Sequence, residues 1–156
     1  MSSSQTLAAI PDAAAGKLAA PRHHLLLYDG VCGLCNRFVR TILAVDHRRR
    51  ISFAPLQGPT AARLAERHGF AVDGDTVVYV RYFGLEGERV HQRTDAVLLA
   101  LADTGGVFWL ARVLRVVPRG LRDPVYDWVA AHRYEWFGRH DSCPLPPPEH
   151  RFRFLP

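Results

Sequence analysis

The chain has 156 residues, 48% of them hydrophobic and 22% charged, which excludes a wholly disordered protein and suffices for one domain with a core and a modest extension. No apolar run approaches the roughly 20 residues of a membrane span, and the longest, Val107 to Val117, contains Arg112 and Arg115. The net charge of +5 permits attraction to acidic partners without requiring it, and the arginines are too scattered to mark a nucleic-acid surface.

Met1 to Ala20 lacks the basic start and sustained apolar stretch of a secretory leader, and Pro11 and Asp12 interrupt it. Residues 1–21 read as a disordered arm, and a reducing cytoplasm is the expected compartment. Leu25-Leu26-Leu27-Tyr28 is a short apolar run of the kind that forms a strand covered on both faces, closed by the turn signal Asp29-Gly30. From Gly33 the spacing becomes helical, with Leu34, Phe38, Ile42 and Val45 on one side, and Arg48-Arg49-Arg50 follows the helix end near Asp46-His47. Ile51 to Leu56 reads as a second strand stopping at Pro55, parallel to the first across the helix. Pro59-Thr60 opens a helix that Gly69 ends.

Thr76 to Phe83 and Glu88 to Gln92 read as two strands of a hairpin around Gly84-Leu85-Glu86-Gly87. Thr94 is a candidate cap for the helix that follows, which Gly105-Gly106 ends. Two further helices are expected, one from Val107 to Val117 and one capped by Asp123, with Pro124 at its first position, reaching Trp136. Trp109, Trp128, Trp136, Tyr126, Tyr134 and Phe137 are expected to pack between this extension and the sheet. Arg112, Arg115, Arg119 and Arg122 read as a solvated helix face; the rival is contact with an anionic membrane surface. The tail from Cys143 through Pro144-Leu145-Pro146-Pro147-Pro148 can only be extended.

The order β-α-β-α-β-β-α, with Cys32 and Cys35 where the first strand meets the first helix, predicts a thioredoxin-like α/β domain over residues 22–104. A two-helix extension and Pro-rich tail, residues 105–156, pack on the same domain. Thiol–disulfide exchange needs a thiolate and a second thiol within reach. A cysteine at a helix N-terminus has its thiolate favoured by unpaired N–H groups and the dipole. Cys32 is therefore the expected exposed nucleophile and Cys35, one turn in, the resolving thiol. Asp29 reads either as a proton relay to Cys35 or as a turn and capping residue. An unpaired carboxylate there would raise the Cys32 pKa and make the dithiol a moderate reductant.

A Cys pair is also half of a zinc site, but beyond it the chain offers only Cys143, with His23 and His24 before the first strand. No metal and no cofactor is expected, and there is no nucleotide or flavin fingerprint. Cys143 reads either as a second resolving thiol that traps a mixed disulfide or as a buried cysteine of the extension. The chemistry calls for a disulfide-containing substrate, protein or small thiol, and an external reductant. The competing reading is a non-catalytic partner-binding or redox-sensing module whose Cys pair is a sensor or metal clip.

The run Asp29-Gly30-Val31-Cys32-Gly33-Leu34-Cys35-Asn36 resembles the DCC family of predicted thiol–disulfide oxidoreductases. So do Phe53-Ala54-Pro55-Leu56-Gln57, Arg93-Thr94-Asp95-Ala96, and Arg133-Tyr134-Glu135-Trp136-Phe137-Gly138 followed by Cys143. The resemblance implies a thioredoxin-like fold and disulfide chemistry at Cys32 and Cys35, with no defined substrate. The stretch Ala71 to Thr76 lacks the proline that thioredoxins carry before the strand facing the site. That departure leaves room for a small-thiol or dedicated partner.

Overall fold

Five consecutive buried residues, His24–Tyr28, form the central strand β1. A computed structural model of the chain describes residues 23–72, 74 and 76–156, so the arm expected over residues 1–21 lies outside the described residues. Side chains alternate across β1, so Leu26 and Tyr28 join one apolar cluster while Leu25 and Leu27 join another. Helix α1, Gly33–Val45, covers the first face with Val39 and Ile42. Helix α2, Pro59–His68, covers the second with Ala61 and Leu64 and ends on Gly69 in the left-handed conformation (φ 70°).

Strand β2, Ile51–Pro55, runs parallel to β1, with Leu26 opposite Phe53. Strand β3, Val78–Arg81, runs antiparallel on the other side, and β4, Arg89–Gln92, pairs with it. The order β2-β1-β3-β4, with helix α3 (Arg93–Thr104) beside α1, is a mixed α/β arrangement of thioredoxin-like form. The strand expected over Thr76 to Phe83 is shorter because Tyr82 takes a positive φ of 57° and turns the chain. Thr94 does not cap α3; its hydroxyl instead donates to Asp123.

The extension departs most from expectation. Gly106–Val116 is a 3₁₀ helix and not an α-helix, and it buries no residue. Three residues per turn stack side chains three apart into rows. One row directs Arg112 and Arg115 onto α3, where they meet Asp103 at 2.9 Å and Asp95 at 3.2 Å. Another row, Val107, Leu110, Val113 and Val116, is left exposed. The two arginines thus anchor the segment by ion pairs while their side chains stay partly solvated.

Helix α4 spans Arg119–Phe137, starting ahead of the expected Asp123 cap and carrying Pro124 inside it. Arg119 and Arg122 both reach Asp95, and Asp123 takes the Thr94 hydroxyl, so contacts with α3 draw the extra turn into helix. Trp109, Trp128 and Trp136 are exposed, contrary to the expected packing, whereas Tyr126, Tyr134 and Phe137 are half-buried.

The tail returns to the sheet. After a short 3₁₀ turn, Pro148–Arg153, Phe154 pairs in parallel with Phe53 and the Leu155 N–H donates to the Phe53 carbonyl at 2.8 Å. The fully buried Arg153 donates to the Ile51 carbonyl at 2.7 Å and pairs with buried Asp46. The tail thereby covers the open edge of β2.

Candidate active site

Cys32 is the N-cap of α1, in extended conformation, and its sulfur accepts the Cys35 backbone N–H at 3.5 Å. The sequence rule for a helix start, a short polar side chain that accepts from the first turn, is here met by sulfur. The Cys35 thiol donates to the Cys32 sulfur; that bond, the N–H groups of Cys35 and Leu34, and the Arg133 guanidinium outweigh burial and bring the Cys32 thiol down from 9 to about 6. Cys35 moves the opposite way, pushed well above the usual thiol range by its bond to Cys32 and by burial. The two sulfurs thus differ in character: a thiolate at the cap and a protonated thiol one turn in.

Cys32 is buried, not exposed as expected. The segment after α4 straps over it: Gly138 accepts the Gly33 N–H at 3.1 Å, the His140 N–H donates to the Val31 carbonyl at 2.7 Å, and Arg139 bridges to Cys32. The approach is so close that a Cβ at Gly33 would lie 2.0 Å from the Phe137 carbonyl oxygen. Cys35 is reached from another side. It lies in the wall of an apolar groove of about 550 Å³ between α1, α3, the long 3₁₀ segment and α4.

Asp29 is not an unpaired carboxylate. One oxygen accepts the Val31 N–H at 3.1 Å and the Gln57 amide at 2.9 Å. The other accepts the Tyr134 hydroxyl and lies 3.6 Å from Arg133. These contacts fix the loop that delivers Cys32, and they counter the expectation that Asp29 would hold the Cys32 pKa up. Arg133, buried, also donates to the Gly74 carbonyl at 2.9 Å and lies over the Tyr134 ring. The motif residues Thr94 and Asp95 are far along the chain from this network; they fasten the extension that carries Arg133.

Cys143 is exposed, not the buried cysteine expected of the extension, and its sulfur is 3.6 Å from the Tyr28 hydroxyl. It packs against Gly30, where an added Cβ would lie 2.8 Å from the sulfur. His24 sits at the start of β1, the end remote from the cysteines, with Asp103 at 3.8 Å. Among the described residues no three His, Cys, Asp or Glu side chains gather as a metal ion would need.

Arg133, Tyr134 and Gln57 complete the site, and periodicity and spacing single out none of them. Only the resemblance brought their stretches forward, and it assigned them no role.

A family model described as DCC1-like thiol-disulfide oxidoreductase matches residues 26–139, from the middle of β1 through Cys32, Cys35 and Arg133 to the start of the strap. The chain belongs to the DCC family. An uncharacterized protein of Bacillus subtilis, YuxK, is 36% identical over 135 residues, covering 86% of this chain and 95% of its own length. A DCC family protein of Arabidopsis thaliana described as chloroplastic is 37% identical over 122 residues, covering 78% of this chain and 69% of its own. No solved structure matches this DCC chain. The DCC motif thus coincides with one physical unit: the Asp-Gly turn, the two sulfurs and the α4 residues that brace them.

Proposed function

We propose that this DCC protein is a thiol–disulfide oxidoreductase in which Cys32 is the nucleophile and Cys35 the resolving thiol. The observation that carries the reading is the Cys32 sulfur at the α1 cap, its pKa brought down to about 6 with a protonated Cys35 thiol beside it. Two structural cysteines would need no such difference between them.

The Cys32 thiolate attacks a substrate disulfide, forming a Cys32–substrate bond and releasing one substrate half as a thiolate that takes up a proton. Cys35 then loses its proton and attacks the Cys32 sulfur. The Cys32–Cys35 disulfide closes and the second half leaves as a thiol. The substrate gains two electrons, which an external thiol reductant must return to the protein. A reducing compartment is therefore its natural setting. Asp29 acts as a positioning residue, since donors already occupy both its oxygens. Because the strap closes over Cys32, either the strap opens or the substrate arrives through the groove beside Cys35.

Iodoacetamide alkylation of the Cys35→Ser/Cys143→Ser protein, followed against pH, tests the thiolate. Half-maximal rate is expected well below 9, because the serine hydroxyl at position 35 keeps a donor beside the Cys32 sulfur. In cell extract, Cys35→Ser should accumulate mixed disulfides that Cys32→Ser does not form. Adducts that persist without Cys32 would defeat the assignment and move the nucleophile to Cys143.

A further inference from the structure

The extension is built inside out. Its arginines turn toward two buried carboxylates, Asp95 and Asp103, and its large apolar side chains turn toward solvent. Val116 is 82% exposed and Leu121 67%, and the exposed row continues along α4 through Val125 to Trp128. These positions of α4 are spaced by three or four and so share one face. The face is continuous with the rest of the extension, because Leu114, Val117, Leu121 and Val125 all border the same groove. A monomer in water rarely keeps so large an apolar surface uncovered.

We infer that this face docks on an anionic lipid surface. Between Asp103 and Asp123 the chain has four arginines and no acidic residue. Arg112, Arg115, Arg119 and Arg122 share the carboxylate of Asp95 and that of Asp103, so positive charge remains at the rim of the apolar face. Arg112 and Arg119 keep 53% and 68% of their side-chain surface open to solvent, available to headgroup phosphates. All three tryptophans of the chain are exposed on this extension, and Trp128 packs edge-on to Trp136. Amphipathic rings of this kind favour the boundary between headgroups and acyl chains. Apolar side chains flanked by arginine and tryptophan are the makings of an in-plane, interfacial element. A second copy of the chain fits less well, since a two-fold contact would bring two arginine-rimmed patches of like charge together. Among the described residues no helix is long and apolar enough to cross the membrane, so the contact is with the surface.

This inference goes beyond the redox reading and stands or falls without it. The full-length protein is mixed with vesicles of phosphatidylcholine carrying one quarter phosphatidylglycerol, and with vesicles of phosphatidylcholine alone. It is expected to float with the anionic vesicles, at least tenfold more weakly with the neutral ones, and to shift its tryptophan emission to shorter wavelength on binding. Val116→Asp/Leu121→Asp, at positions too exposed to disturb the core, should lose the binding at least tenfold. Val125→Ser/Trp128→Ser, which adds no charge, should weaken it in the same direction. A wild-type protein that neither floats nor shifts its emission would overturn the inference. So would unchanged binding in both variants, or a wild-type dimer in sedimentation that the aspartate variant turns into monomer.

Discussion

A single buried cation sets the tone of the site. Arg133 faces the sulfurs, helps to hold the Cys32 thiol down, and sits 3.6 Å from the Asp29 carboxylate while donating to the Tyr134 hydroxyl at 3.0 Å. A guanidinium does this better than an ammonium, because its planar fork serves several acceptors at once and it stays charged when buried. Arg133→Gln should raise the Cys32 pKa by roughly one unit, since an opposite charge close by is worth about that much to a thiolate. The measurement is the pH profile of Cys32 alkylation in a Cys143→Ser background. Arg133→Lys should recover part of the shift, a result that a purely structural role would not give. An unchanged profile in Arg133→Gln would leave the hydrogen bonds at the α1 cap as the whole cause.

At the scale of elements, the strap over Cys32 is the unusual part. It is held by backbone bonds, so side-chain changes within it leave those bonds in place. His140→Pro removes the N–H that donates to the Val31 carbonyl, and the preceding Arg139 already pairs in extended fashion, as a residue before proline prefers. One backbone hydrogen bond is worth about 1 kcal/mol net, roughly a fivefold change in an opening equilibrium. Cys32 alkylation in His140→Pro should accelerate by about that factor at pH 7, with the pH midpoint little changed because the α1 cap is intact. Equal rates in the two proteins would mean that reagents reach the sulfurs through the groove and not under the strap. The sequence hides the strap because nothing in residues 138–143 is periodic; its place follows from how α4 lies against α1, a contact between segments about a hundred residues apart.

At the scale of the whole molecule, what was legible followed from local rules. The Leu25 to Leu27 run, the switch to helical spacing at Gly33, Pro59 and Gly69 each marked an element that the structure contains. What was not legible depended on partners distant in sequence. Val107 to Val117 reads locally as a helix, and its 3₁₀ form goes together with ion pairs to Asp95 and Asp103, partners the local pattern does not reveal. Arg153, of a residue type that is mostly exposed, is buried on Asp46. His24 is a third such case, and it governs how stability responds to acid. Burial pulls its pKa down from 6.5 to about 4, against the opposing attraction of Asp103 and Asp46 and with the help of Arg81 and Arg50. The neutral ring accepts the Tyr82 N–H at 3.3 Å. Below pH 6.5 the unfolded chain takes up a proton that the folded one refuses until about pH 4, so this residue costs stability as the pH falls through that window. The loss approaches 1.4 kcal/mol per pH unit, about 3 kcal/mol in all. Asp95 and Glu88, whose pKa values are lowered because their ion pairs and hydrogen bonds outweigh burial, take stability away at the acid end of the same scan. The signature is therefore the difference between wild type and His24→Gln in urea unfolding. Wild type should exceed the variant by roughly 2–3 kcal/mol more at pH 7 than at pH 4.5. A gap that stays constant between those pH values would mean that His24 titrates alike in the folded and unfolded chains, and one that widens as the pH falls would mean a protonated ring paired with Asp103.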